Sequence, residues 1–349
     1  MKIVVLTGGV GGARFLLGVK TALGWPAYGE GPAESSDHVT AVVNTADDIF
    51  VHGLQVCPDL DSCMYTLSGN ADHDRGWGQR DETWTVAAEL DQYGADAPWF
   101  SLGDKDIATH LVRTQMLAAG RTLTQTTEVL ARRRGTGVRL LPMSDDPVTT
   151  IVDVDLPLPG NEGNDVSLMA TQAESSRVSL HFQEWWVRYR AALPPRRIST
   201  QGSRTSYPAP GVVEAIDDAD LILLAPSNPV VSIGAILNVP GIPEALRKAQ
   251  APIVGVSPII GGRPVRGHAD ACLAAINVSC TAEGVGKHYG ARSEGGLLDA
   301  YLVAPGDGFS FPGVQVKEVP LLMTDPEATG EIVRSCIESA STVAQMSGV

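Results

Sequence analysis

Basic residues are scarce in this chain. It carries 26 Lys and Arg against 40 Asp and Glu, a formal charge of −14 over 349 residues. Such a balance argues against a nucleic-acid surface, which needs a basic footprint. An acidic protein that handles anions then needs a local device: a metal ion, a helix N-terminus or a small Arg/Lys cluster. Cysteine is sparse too. The five residues Cys57, Cys63, Cys272, Cys280 and Cys336 include no C-x-x-C pair. They read as reduced, mostly buried thiols rather than a disulfide framework. No run of 18 apolar residues occurs, so no membrane span is expected. The N-terminal stretch lacks the shape of a secretory leader, and a cytoplasmic location is expected. There is no internal repeat and no low-complexity tract.

What is present is an ordinary globular composition, 44% hydrophobic and 19% charged. The length suits one large domain with an insertion, or two domains. KIVVLT (residues 2–7) reads as a buried strand, GARFLLGVKTAL (12–23) as a helix, and HVTAVVNT (38–45) as a second strand. This is a βαβ unit, which implies a parallel sheet. Three amphipathic helical patterns follow, at 81–94, 104–120 and 122–135, and two of them stop at Gly94 and Gly120. Strand character returns over 137–155, and again at 218–229 and 251–262. Between the last two lies a helix interrupted by Pro240 and Pro243, and the chain ends in a helix from Asp325. Residues 156–178 and 191–210 read as polar, mobile loops. The expected architecture is α/β: a Rossmann-like, mostly parallel sheet from 1–61 and 137–349, with a helical inserted subdomain over 62–136.

Three strand ends carry unusual chemistry, and ligands of open α/β sheets gather at such ends. The first is Gly8-Gly9-Val10-Gly11-Gly12-Ala13-Arg14. Glycines let backbone N–H groups approach phosphate oxygens, and the helix N-terminus adds positive charge. A tight βα turn needs fewer glycines. The lysine of a Walker loop is missing, and a dinucleotide fingerprint is matched only loosely, with Arg14 where the last glycine belongs. The second is Asp47-Asp48 with Asp59 and Asp61 of the PDLD stretch. Carboxylates at a strand end suit Mg2+, which takes one or two of them with waters and substrate phosphate; solvated loop acids or N-caps are the plainer reading. The third is Ala225-Pro226-Ser227-Asn228-Pro229 through Ser232, with SPIIGG at 257–262. These residues suit a base edge or phosphate, and are also ordinary turn formers. RGWGQRDETW (75–84) and HFQEWWVRYR (181–190) place tryptophans beside arginines, which suits a planar or anionic ligand or, equally, a core.

Taken in order, GGVGGAR, VVNTADD, PDLD, LGDKDIATH, LLPMSDDPV, HFQEWW, APSNPVVSIG and SPIIGGRPVRG resemble the motifs of the 2-phospho-L-lactate transferases of coenzyme F-420 biosynthesis. The resemblance runs from about residue 2 to residue 330. RGWGQRDETW, FQEWWVRYR and PLLMTDPEAT look closest to the actinobacterial phosphoenolpyruvate transferase branch. It implies a Mg2+-dependent homodimer on a Rossmann-like core. The implied donor is a guanosine diphosphate ester of enolpyruvate or lactate. The implied acceptor is the ribityl hydroxyl of 7,8-didemethyl-8-hydroxy-5-deazariboflavin, with GMP leaving. On that reading Gly8, Gly9, Gly11, Gly12 and Arg14 hold phosphate, and Ser227, Asn228 and Ser232 serve the guanosine side. Asp48 and Asp61, with Asp47 and Asp59 as alternates, hold Mg2+, and one aspartate acts as base. Asp61, Trp77, Arg80 and Lys105 frame the deazaflavin. Lys105 stands where the family often has arginine, which puts a two-pronged role there in doubt. The rival readings are a nicotinamide-dependent oxidoreductase on the same glycine loop, and a sensor that binds nucleotide or deazaflavin without turnover.

Overall fold

Apolar runs place the middle strands of the central sheet, and the computed structural model shows how the whole sheet assembles. It describes residues 1–95, 99–157 and 175–347. The strands and helices follow as β1 (Lys2–Thr7), α1 (Gly9–Ala22), β2 (His38–Val43), β3 (Ile49–Val51), β4 (Leu54–Val56), α2 (Pro58–Leu67), α3 (Thr85–Gln92), α4 (Asp104–Ala118), α5 (Leu123–Arg134), β5 (Arg139–Pro142), β6 (Thr149–Pro157), β7 (Ser175–His181) and β8 (Arg197–Gln201). Then come α6 (Val212–Asp217), β9 (Leu221–Leu224), α7 (Ile233–Leu237), α8 (Ile242–Lys248), β10 (Ile253–Val256), β11 (Ile259–Ile260), β12 (Arg263–Pro264), α9 (Ala269–Ala275), α10 (Ala282–Tyr289), β13 (Ala300–Val303), β14 (Gln315–Glu318) and α11 (Pro326–Ser347).

The main sheet has seven strands in the order β14-β13-β10-β9-β1-β2-β5. Every pairing in it is parallel. The chain winds outward from β1 through β2 to β5, then crosses back to β9 and winds the other way. The reversal falls between β1 and β9, the point where doubly wound sheets open a crevice. Successive residues of β1 face opposite ways. Ile3 and Val5 join Phe15, Leu16 and Val19 of α1 with Ile332 and Val333 of α11 in one core layer. Val4 and Leu6 join Ile233 and Ile236 of α7 with Leu246 of α8 in the other. Gly18 allows α1 and α11 to touch, since a Cβ there would fall 2.4 Å from a Thr329 methyl.

The expected α/β class and parallel sheet are present. Between β2 and β5 the chain leaves the sheet for the β3–β4 hairpin and helices α2 to α5. The Thr122 hydroxyl caps α5 by accepting from Gln125 N at 3.2 Å, and Gly135 ends it in the left-handed region. Pro243 lies in the first turn of α8, where a missing N–H costs little.

Some expectations are corrected. The helix after β1 starts at Gly9, not at residue 12, so the glycines form its first turn rather than a preceding loop. The stretch 137–155 is two strands in two sheets: β5 closes the main sheet, while β6 is the centre of an antiparallel sheet ordered β7-β6-β8. That sheet also overturns part of the loop reading. The end of β6, the first four residues of β7 and all of β8 occupy positions expected to be irregular, and residues 158–174 of the first loop lie outside the described residues. The small sheet folds over an apolar patch of Val152, Val154, Leu180 and Trp185 that meets Val231 and Cys272 of the core.

Candidate active site

A cleft of about 780 Å3 opens at the carboxyl ends of the central strands, walled by Gly8 after β1, Asp47 after β2, Ser227 after β9 and Ser257 after β10. The insertion closes the opposite wall with Trp77, Gly78 and Asp106, and the small sheet adds Phe182 and Trp186. The three chemically unusual strand ends do converge there.

The glycine run has two roles. A Cβ on Gly8 would fall 2.6 Å from Asp59 Oδ2 and 2.8 Å from Ser232 Cβ. On Gly12 it would fall 1.9 Å from Thr7 Oγ1 and 2.6 Å from Ser227 Oγ. These two are glycine because the protein's own side chains press against them. Gly9 has φ 65°, which disfavours other residues. Gly11 meets nothing closer than Pro226 O at 3.5 Å and lines the cleft. The first turn of α1 has no side-chain cap and no acidic residue of its own; its Gly9 N–H is taken by Asp59, and the N–H groups that follow are left to face an anion. Arg14 lines the cleft one turn further along.

Ser227 fastens the reversal point. Its hydroxyl donates to Gly8 O at 2.8 Å and accepts from Gly8 N at 3.1 Å. Asn228 Oδ1 accepts from Val230 N at 2.9 Å and Val231 N at 3.2 Å, shaping the turn before α7. Ser232 lies at the start of α7 and lines the cleft. All three border the cleft, and Ser227 and Asn228 spend polar atoms on backbone groups of neighbouring residues.

The four aspartates do not share one cage. Asn44 Nδ2 donates to Asp47 Oδ2 at 3.1 Å and to Asp59 Oδ2 at 2.9 Å, bridging that pair. Asp48 sits with the Cys57 thiol beside its carboxyl. Its backbone carbonyl lies 3.0 Å from His181 Nε2, which ties the small sheet to this loop. Asp61 is bound by both Nη atoms of Arg113, with His110 Nδ1 at 3.6 Å. Burial, and then the neighbouring Asp59, pushes the Asp47 carboxyl well above the usual range. Burial does the same to Asp48. Asp59 is raised to about 6 by burial, against hydrogen bonds from Asn44 and Gly9 that favour its charge. Asp47 Oδ1 and Asp48 Oδ1 are buried without a partner. Among the described residues, no three His, Cys, Asp or Glu side chains are arranged to hold a metal by themselves. Asp48 is not among the described residues lining the cleft; the orphaned Asp47 oxygen, in the cleft wall near the start of α1, does suit Mg2+, which keeps waters and takes its remaining ligands from substrate phosphate.

The aromatic residues divide. Trp77 lines the cleft, edge-on to Trp84 at 6.0 Å, with the Arg75 guanidinium 4.9 Å from its ring centre. Trp186 stacks on Phe182 at 5.5 Å in the cleft, whereas Trp185 is core, its Nε1 donating to Leu193 O. Arg80 and Lys105 are not among the described residues lining the cleft. Lys105 Nζ donates to Arg80 O at 2.7 Å, fastening the 70–82 loop to α4.

Three site residues escape the sequence reading. Asn44 precedes the acidic doublet, and only its place at the end of β2 hints at a role. Arg113 and Asp106 lie on the inward face of α4, at a seven-residue spacing that puts both beside Asp61. Asp106 lines the cleft; its Oδ1 has no partner, and burial, then Asp61 and Glu82, push it up to about 6. The α4 pattern reads as amphipathic, but charged residues within its buried stripe are invisible until Asp61 is placed.

Comparison with known proteins adds to this geometry. The family model described as "2-phospho-L-lactate transferase CofD" matches residues 3–308. A protein of Mycobacterium tuberculosis H37Rv named phosphoenolpyruvate transferase is 55% identical over 346 residues, covering 99% of this chain and 100% of that protein. One of the same name from Mycolicibacterium smegmatis is 54% identical over 340 residues, covering 97% and 99%. A crystal structure of protein BH3568 from Bacillus halodurans superposes with a TM-score of 0.56 at 17% identity, covering 96% of this chain and 99% of that one. That last likeness bears on the fold alone.

Proposed function

This chain, a transferase, belongs to the 2-phospho-L-lactate transferase family, and we propose that it moves an enolpyruvyl-phosphate group from a guanosine diphosphate ester to the ribityl hydroxyl of 7,8-didemethyl-8-hydroxy-5-deazariboflavin. The products are the dehydro form of coenzyme F-420-0 and GMP. The observation that carries this reading is the pairing of the Asp47 carboxylate, whose Oδ1 is buried without a partner, and its neighbour Asp59 with an uncapped glycine-rich helix start in one crevice. The enolpyruvyl donor, rather than 2-phospho-L-lactate, is favoured by relatives at 54% and 55% identity named phosphoenolpyruvate transferase.

The acceptor oxygen attacks the phosphorus that carries the three-carbon group. The bond from that phosphorus to the bridging oxygen breaks, and GMP leaves with the electron pair. Phosphoryl transfer of this kind is mostly positioning and charge neutralisation. The N–H groups of the first turn of α1, with Arg14, hold phosphate oxygens. Asp47 and Asp59, with Asp48 near them, would hold Mg2+, which when bound offsets phosphate charge and lowers the proton affinity of the attacking hydroxyl. The hydroxyl's proton needs a carboxylate outside that set, and Asp106, in the cleft wall and raised to about 6 by burial, is suited to take it near neutral pH. Asp61, neutralised by Arg113, is better suited to orienting the acceptor. Trp77 and Trp186 offer flat faces for the deazaflavin.

The test is a mass-spectrometric assay with the deazaflavin alcohol and either guanosine diphosphate ester, with and without Mg2+. GMP and a deazaflavin phosphodiester, formed only with metal, are expected. Asp59→Asn and Asp47→Asn are each expected to lower turnover at least a hundredfold. Bound deazaflavin without product from either donor would instead mark a non-catalytic binder.

A further inference from the structure

The cleft wall is acidic, yet it is proposed to receive a ligand with three anionic groups: two phosphates and a carboxylate. Asp47, Asp59, Asp61 and Asp106 line it, against two guanidinium groups, those of Arg14 and Arg266, and no lysine. Neither arginine has an ion pair, side-chain hydrogen bond or ring partner among the described residues. Arg14 sits on α1, where the helix N-terminus already draws the phosphates. Arg266 comes from the segment after β12, on the far side of the reversal point.

Its position is specific. A Cβ on Gly76 would fall 1.9 Å from Arg266 Nη2, so the guanidinium lies directly on the backbone of the insertion loop, one residue before Trp77. Arg266 therefore reaches from the core wall, which offers phosphate ligands, to the aromatic wall, which offers faces for a flat ring. In the transfer reaction the three-carbon group must lie between those two, because its phosphorus is attacked from the acceptor's side and released toward GMP. A guanidinium matches a carboxylate with two parallel N–H donors, a geometry that lysine does not reproduce.

We propose that Arg266 recognises the carboxylate of the donor's three-carbon group and so selects a carboxylate-bearing ester over plain guanosine diphosphate. This rests on the transferase reading of the cleft. It goes beyond that reading by assigning a specificity residue outside the glycine loop and the aspartates.

The experiment measures binding of enolpyruvyl-diphosphoguanosine and of GDP, with Mg2+, to the wild type, Arg266→Gln and Arg266→Lys, alongside turnover by the wild type. Arg266→Gln is expected to weaken the ester by about 10- to 100-fold and to leave GDP affinity within about twofold, with Arg266→Lys recovering part of the loss. The unchanged GDP affinity also certifies the fold. Equal weakening of ester and GDP would assign Arg266 to phosphate and overturn the proposal, as would unchanged binding of both. Absence of turnover by a wild type that still prefers the ester would overturn the transferase reading while leaving the carboxylate contact standing.

Discussion

At the scale of single residues, two buried groups on α4 oppose each other as pH changes. Burial lowers His110 to about 4 from an ordinary 6.5. As pH falls through 6.5 the unfolded chain takes up this proton and the folded one refuses it, so stability is lost from about pH 6.5 down to about 4. Asp106, raised to about 6 from 3.8, does the reverse: the folded state takes the proton first, and stability is gained as pH falls from about 6. At pH 5 these amount to roughly 2 kcal/mol lost at His110 and roughly 1 kcal/mol gained at Asp106. His110→Asn should therefore raise the melting temperature at pH 5 relative to pH 7.5, compared with the wild type. Asp106→Asn should lower it on the same comparison. Identical pH slopes in all three proteins would show that neither group is perturbed as described. Neither residue stands out in the sequence, because a His or Asp within a polar helix pattern reads as solvated. Their perturbation arises only when α4 is laid against Asp61. The aspartates of the doublets were legible because adjacent carboxylates at a strand end are unusual, yet their division by Asn44 and Arg113 depends on contacts across 15 and 52 residues of chain.

At the scale of elements, α1 separates packing from binding within one turn. Gly12→Ala drives a methyl into Thr7 and Ser227, and should cost roughly 1–3 kcal/mol of stability by overpacking, read as a lowered denaturation midpoint. Gly11→Ala makes only an ordinary van der Waals contact, with Pro226 O at 3.5 Å, and should be neutral or stabilising by roughly 0.5–1 kcal/mol, while weakening donor binding because Gly11 lines the cleft. Loss of stability from both changes would refute this division. The four glycines are one signal in sequence and two functions in space. Helix α4 was legible because its apolar spacing and terminal Gly120 agree, and α5 from its apolar spacing, with Gly135 as its cap emerging only in the structure. Strands β7 and β8 were not, because each is polar along much of its length and is held by pairing with β6 rather than by a continuous apolar run. β13 and β14 were missed for a related reason: each is four residues long and is defined by its neighbours in the sheet.

At the scale of the whole molecule, stability is graded from sheet to rim. β9 is buried throughout and flanked by β1 and β10, whereas α3 contains no buried residue. Hydrogen exchange should be slowest at the amides of β1, β9 and β10, and fastest, among the elements near the cleft, in α3 and the 70–82 loop. Equal protection of α3 and β9 would contradict the grading. Slowing confined to the 70–82 loop and the segment around Arg266 on addition of substrate would show that the ligand joins the two walls.

The distribution of tryptophan has an optical consequence. Of the six indoles, Trp77, Trp99 and Trp186 line the cleft, while Trp185 is sealed in the core under the small sheet. A chromophore entering the cleft lies within a few ångströms of half of the molecule's emitters, and the buried ring, 6.1 Å from Trp186, is close enough to be quenched with them. The protein thus carries its own fluorescent gauge of occupancy, with no label attached.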